Sequence, residues 1–160
     1  MIQKINAAIS AQRNGVTNSK EVFVIDYKKI NGGDVQILPN RPQYDCVHLT
    51  NDRNVEIQYV AFEENALKVN TPEGQVKQCE CILFPTSLNE TDWILCIETK
   101  YTASLQIALA EKVDYPNTML KQIISTVNYF REHKIIPESK RVHAIVSFPN
   151  SSTPVTITWD

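Results

Sequence analysis

The sequence predicts an α/β (α+β) protein, with a central mixed sheet flanked by helices and preceded by an N-terminal region of antiparallel strands. Two observations predict this fold class. The C-terminal half has the order strand, strand, helix, strand, and a helix between two strands is typical of a crossover onto a covered sheet. Residues 21–75 contain short runs of β-branched and aromatic residues separated by turn residues, as antiparallel strands do.

The size and composition of the chain suit one globular domain, residues 1–160. Hydrophobic residues make up 42% and charged residues 21% of the 160 residues, so a packed core is expected. Within the domain, residues 1–75 hold a helix and antiparallel strands, and residues 76–149 form an α/β core. A net charge of −2 disfavours a nonspecific nucleic-acid coat protein but is compatible with an enzyme that has a local basic groove.

The location of the protein is predicted from its apolar runs. No run approaches the roughly 18 residues that span a bilayer, and the first residues lack the apolar centre of a signal peptide. We therefore expect a cytoplasmic protein with no membrane partner.

The N-terminal elements follow from periodicity and turn residues. Ile2, Ile5 and Ile9 recur at helical spacing, which predicts a helix over 2–13 that ends at Asn14-Gly15. Short apolar runs predict strands at 21–27, 35–38, 46–49, 54–62 and 66–69. In 54–62, alternation places one apolar set on a single face: Val55, Ile57, Tyr59 and Ala61.

The C-terminal elements are more strongly patterned. Strands are predicted at 76–84, where Pro85 ends the run, at 92–101, at 141–148 and at 155–159. Residues 103–113 have helical composition. Residues 117–135 form the clearest predicted helix, with a continuous apolar stripe: Met119, Leu120, Ile123, Ile124, Val127 and Phe130.

The cysteines have two interpretations. The chain has four cysteines, Cys46, Cys79, Cys81 and Cys96. Three of them lie in apolar, strand-like runs, so the favoured interpretation is that they are buried free thiols. A zinc site made by Cys46-x-His48 and Cys79-x-Cys81 is the alternative. Neither spacing matches the C-x₂₋₄-C pairs of structural zinc sites, which disfavours it.

The strand at 92–100 ends in an acid and a base. Alternation puts Trp93, Leu95 and Ile97 on one face, and Cys96, Glu98 and Lys100 on the other. Ionised side chains at the end of an apolar strand are costly unless they face water, pair or perform chemistry. One interpretation is therefore a solvated surface ion pair, which contributes little stability.

The other interpretation is a catalytic site that includes a second acid. Glu80 lies in the preceding strand, and if the two strands pair, Glu80 and Glu98 meet on one face. Carboxylate oxygens suit Mg²⁺ or Mn²⁺, which would polarise a phosphoryl oxygen and activate water. Lys100 would hold that water or stabilise the developing charge.

The same residues resemble a known family. Three features follow one another along the chain: the run Cys79-Glu80-Cys81-Ile82-Leu83-Phe84, then a loop and the run Ile94–Lys100, then a helix with Gln122. In this order they resemble the PD-(D/E)XK (restriction-endonuclease-like) superfamily over about residues 76–149. The resemblance implies a restriction-endonuclease-like core. It also implies that Glu80 is the first acid, Glu98 and Lys100 are the E-x-K pair, and Gln122 is a residue of the following helix near the site.

The functional hypotheses follow from this resemblance. The first is a metal-dependent nuclease that hydrolyses phosphodiester bonds, with Glu80 and Glu98 as ligands of Mg²⁺ (or Mn²⁺), Lys100 assisting the water and Gln122 orienting the site. The expected partner is nucleic acid, DNA in preference to RNA, and a homodimer is plausible. The alternatives are an inactive fold of this kind that serves as a binding or assembly module, and an α/β domain whose E-x-K is only a surface pair.

Overall fold

The computed structural model of the protein describes residues 1–67, 69–71, 74–87, 92–102, 104–112, 114–149 and 156–158. The helices are α1 (Ile2–Ala8), α2 (Lys28–Asn31), α3 (Leu105–Ala108) and α4 (Tyr115–Glu132). The strands are β1 (Gln12–Thr17), β2 (Glu21–Asp26), β3 (Val35–Leu38), β4 (Val47–Thr50), β5 (Ile57–Phe62), β6 (Val69–Thr71), β7 (Gly74–Val76), β8 (Cys81–Pro85), β9 (Leu95–Thr99), β10 (His143–Ser147) and β11 (Thr156–Thr158). Residues 103 and 113, which end one predicted helical segment, lie outside the described residues.

Two sheets organise the α+β fold. The central sheet is mixed and has the order β1-β5-β8-β9-β10, with antiparallel pairs up to β9 and a parallel pair between β9 and β10. Helix α4 connects these two parallel strands, which confirms the predicted crossover. The second sheet has the order β11-β4-β2-β3, and β6 and β7 form a hairpin. Strands from both sides of residue 76 share the central sheet.

The central sheet is buried on both faces. Helices α1 and α4 cover one face, where Ile5 and Ile123 pack with Ile82 and Cys96. The second sheet covers the other face, where its valines pack with Leu83, Leu95 and Ile97. Removing this much apolar surface from water is the main stabilising contribution to such a fold. It also means that polar side chains on β8 and β9 lie next to apolar layers.

The first helix is shorter than predicted. It ends at Ala8, and residues 12–17, which include the predicted stop at Asn14-Gly15, form a strand that pairs with β5. A strand here satisfies the edge of β5, whose backbone groups would otherwise lack partners. Gly15 leaves room for Tyr59, because a Cβ at this position would meet the hydroxyl end of the tyrosine ring and displace it.

The predicted strand at 76–84 is divided in two. Between β7 and β8 the chain is not part of a strand, and two of its backbone polar groups make hydrogen bonds to side chains of α4. The Cys79 N–H donates to the hydroxyl of Thr126 at 2.8 Å, and the Gln122 side chain donates to the Gln78 carbonyl at 3.0 Å. These contacts fix the segment that carries Glu80 against the helix.

Helix α4 also differs from its prediction. It spans Tyr115–Glu132 instead of 117–135, and Pro116 lies in its first turn, where a missing N–H costs nothing. Met119, Ile123 and Phe130 are buried as predicted, but Leu120 and Ile124 are 46% and 48% exposed. The apolar face that packs on the sheet is therefore narrower than the predicted stripe. Among the described residues, no helix has the length and apolar character that a membrane span requires.

Replacing Thr126 with valine tests the contact between α4 and the segment before β8. The threonine is 1% exposed, so valine, which has a similar shape but no hydroxyl, leaves the buried Cys79 N–H without its acceptor. The free energy of unfolding should fall by about 1–3 kcal/mol in urea denaturation. The control is Thr118→Val, because the Thr118 hydroxyl donates to Asp114 at the exposed start of α4. Equal losses in the two variants would contradict the expected role.

Candidate functional site

The predicted acids meet where β8 begins and β9 ends. These strands are antiparallel, and their register pairs Cys81 with Ile97. Glu80 and Glu98 each lie one residue further along, so they occupy opposite positions at the same end of the sheet. The Glu80 N–H donates to the Ile97 carbonyl at 3.1 Å, which holds the two backbones together. The strand pairing on which the two-acid interpretation depended is therefore present.

Glu98 is a buried acid. It is 2% exposed, so the interpretation as a solvated surface pair is wrong, because the α4 layer covers this face of β9. Burial raises the pKa of Glu98 to about 8, against the opposing effects of the Lys100 charge and of hydrogen bonds from the Glu80 backbone and Gln122. Its Oε2 atom has no hydrogen-bond partner in the described part of the chain. An unpartnered buried oxygen is costly, and it is a free position for a cation or a proton.

Glu80 is fixed by Thr99 of β9. Its Oε2 accepts a hydrogen bond from the Thr99 N–H at 3.1 Å and another from the Thr99 hydroxyl. The Asp26 carboxyl is a neighbour whose charge acts on Glu80. Burial, followed by the charges of Glu98 and Asp26, raises the pKa of Glu80 well above its usual range. Two neighbouring carboxyls with raised pKa values favour a shared proton or a bound cation over two free charges.

Asp26 is a third acid of the site, and the sequence analysis missed it. It is the last residue of β2 and is 4% exposed, and its Oδ1 accepts a hydrogen bond from the Lys28 N–H at 2.9 Å. The sequence carried a signal for it, because Asp26 ends an apolar strand just as Glu98 ends another. Only the packing of the second sheet on the central sheet brings these two strand ends together.

Lys100 and Gln122 complete the predicted set. The Lys100 N–H donates to the Ser147 carbonyl at 2.9 Å, which anchors the end of β9 to β10. The Lys100 side chain is close enough to Glu98 for its charge to lower the pKa of that acid, and its Nζ lies 5.4 Å from the centroid of the Tyr115 ring. The amide of Gln122, in α4, donates to the Gln78 carbonyl and lies close enough to Glu98 to lower the pKa of that acid. The structure thus brings all four predicted site residues together.

The cysteines do not form a metal centre. All four are free thiols; Cys79, Cys81 and Cys96 are buried, as predicted, and Cys46 is partly buried. In the described ranges, no group of three or more His, Cys, Asp and Glu side chains is arranged to hold a metal ion. This finding goes against the zinc alternative. It also means that an ion at the acids would draw its other ligands from backbone carbonyls and water, as Mg²⁺ commonly does.

Comparisons with known proteins add no relative. The chain matches no protein-family model, no curated protein and no solved structure. Its function is therefore inferred from the geometry of the acids, Lys100 and Gln122.

Proposed function

We propose that this protein is a metal-dependent nuclease that hydrolyses phosphodiester bonds in nucleic acid, built on a core of the PD-(D/E)XK kind. The observation that carries the proposal is the placement of Glu80 opposite Glu98, with Lys100 and Gln122 beside them, at one end of β8 and β9. The pairing of β5, β8 and β9 as antiparallel neighbours, followed by α4 and the parallel strand β10, supports the core assignment.

The acids fit a divalent cation such as Mg²⁺ or Mn²⁺. Glu98 and Glu80 would hold it, because the unpartnered Oε2 of Glu98 is an oxygen ligand already removed from water. Thr99 would keep Glu80 in place through its two hydrogen bonds to the Glu80 carboxyl group, beside the Asp26 carboxyl. When bound, such an ion polarises a phosphoryl oxygen and lowers the pKa of an attached water.

The other side chains supply position and charge. The charge of Lys100 acts on Glu98, and its ammonium group would orient the attacking water and stabilise negative charge on the phosphoryl oxygens. Gln122 would help to set the orientation of the Glu98 carboxyl, whose pKa its amide lowers. Its hydrogen bond to the Gln78 carbonyl fixes this amide to the segment that leads into Glu80.

A cleavage assay tests the proposed function. The purified protein should cut single-stranded or duplex DNA, or RNA, when Mg²⁺ or Mn²⁺ is present, and EDTA should stop the cutting. Calorimetric titration with Mn²⁺ should show binding that is lost in Glu98→Ala. A protein that binds neither ion and cuts none of these substrates would refute the proposal. If such a protein still bound nucleic acid, the inactive binding module would replace the nuclease.

A further inference from the structure

Three tyrosines lie near the candidate site in sequence or in space. Tyr27 directly follows Asp26, and Tyr115 is the first residue of α4, next to Lys100. Tyr44, between β3 and β4, packs edge-on against Tyr27 with 6.3 Å between the ring centroids and an angle of 88°. Tyr44 is 45% exposed, so a large part of its ring is open to solvent.

The segment that carries Tyr44 is tied to the end of β9. The Tyr101 hydroxyl donates to the Asp45 carbonyl at 2.7 Å, and Tyr101 directly follows Lys100. Burial raises the pKa of Tyr101, and the nearby charges of Asp26 and Glu80 raise it further. The exposed Tyr44 ring is therefore at the same end of the molecule as the acids and Lys100.

The charge at this end of the molecule is a poor source of affinity for nucleic acid. The chain carries a net charge of −2, and Lys28, Arg41 and Lys100 stand close in sequence or space to three acids and Asp45. Phosphate contacts alone would therefore give weak binding. Stacking of a base on an aromatic ring contributes about 1–3 kcal/mol per base and needs no net charge. In a duplex the faces of the bases are covered by their neighbours, so only unpaired bases can use such rings.

We propose that Tyr27, Tyr44 and Tyr115 form a stacking platform for unpaired bases, which makes single-stranded nucleic acid the substrate class of the site. This inference rests on the proposed function, because that function places a phosphodiester beside Lys100. The platform binds through the faces of the bases, so it accepts many sequences. It positions the backbone between the rings and Lys100.

Fluorescence anisotropy with the full chain in EDTA tests the platform without cleavage. The probes are labelled 12-nucleotide oligothymidylate, oligouridylate and a 12-base-pair duplex. We expect at least about tenfold tighter binding of a single strand than of the duplex, and a shallow salt dependence equivalent to about three phosphate contacts or fewer. The arm that binds more tightly, thymidylate or uridylate, identifies DNA or RNA as the source. Duplex binding as tight as either single strand would overturn the inference.

Variants of Tyr44 test the ring itself. Tyr44→Ala should weaken single-strand binding by about 5- to 100-fold, the equivalent of one stacked base, and Tyr44→Phe should keep most of the affinity. The control is Tyr129→Ala, because Tyr129 stacks on His133 about four turns of α4 away from Tyr115. Unchanged binding in Tyr44→Ala would overturn the platform. If single strands bind as expected but Mg²⁺ and Mn²⁺ give no cleavage, the platform stands and the nuclease proposal fails.

Discussion

Replacing Lys100 with methionine should lower the rate of phosphodiester cleavage by at least about 100-fold at saturating Mg²⁺. Methionine keeps much of the length and apolar volume of lysine but removes the ammonium group that lies within range of the Glu98 charge. Removing one preorganised group that stabilises a developing negative charge typically costs 10²–10³-fold in rate. The rate is measured under single-turnover conditions, so that product release does not hide the chemical step.

The control for this variant is Lys77→Met. Lys77 makes an exposed ion pair with Glu64, 2.7 Å from Nζ to Oε1, in the segment that precedes β8. An exposed pair contributes about 0–1 kcal/mol, so this change should leave cleavage within about twofold of the parent and should barely alter stability. If Lys100→Met cleaves as fast as Lys77→Met, Lys100 has no role in the chemistry.

Replacing Glu98 with glutamine should stabilise the protein in the absence of divalent ions. The pKa of Glu98 is about 8 in the folded chain, above its ordinary value of 4.5. Below pH 4.5 the acid is protonated in both states and has no effect. As the pH rises from 4.5 to 8, the unfolded chain ionises first, so the free energy of unfolding of the parent falls.

Glutamine resembles the protonated acid and cannot ionise, so the free energy of unfolding of the variant does not fall in this way as the pH rises. At pH 8 its free energy of unfolding should exceed that of the parent by roughly 2–5 kcal/mol in urea denaturation, and near pH 4 the two proteins should be about equal. The exposed change Glu63→Gln is the control and should show no such trend. Added Mg²⁺ should stabilise the parent but not Glu98→Gln, because only the parent keeps the Glu98 carboxylate as a ligand. A pH-independent difference between parent and variant would contradict the buried, ionisable role of Glu98.

Local patterns in the sequence were sufficient to find two residues of the site. The two-residue alternation of β9 identified Glu98 and Lys100 as neighbours on one face, and burial of Leu95 and Ile97 on the other face agrees with it. Gln122 was selected through the family resemblance, and its proximity to Glu98 depends on the packing of α4 on β9. Alternation is a short-range property of a strand, which is why it transfers reliably to the folded chain.

Long-range packing explains what the sequence did not reveal. Asp26 joins Glu80 only because the second sheet docks on the central sheet, and no periodic pattern encodes which strand ends become neighbours. The N-terminal helix was predicted too long for a similar reason, since residues 12–17 are taken by pairing with β5. Leu120 and Ile124 fit a helical stripe but face solvent, because the sheet they would cover ends at β10. In each case a tertiary contact overrides the local signal.

The origin of the acids in both sheets has a consequence for how the protein folds. Asp26 and Glu98 lie 72 positions apart in the chain, so they become neighbours only after a long loop has closed. Contacts of such high sequence separation form late, because the entropy of closing the chain is lost before the contact contributes. The acid cluster should therefore assemble after the hairpins and α4 have formed. The last docking step of the two sheets then buries these acids, so it is coupled to the uptake of protons or of a cation.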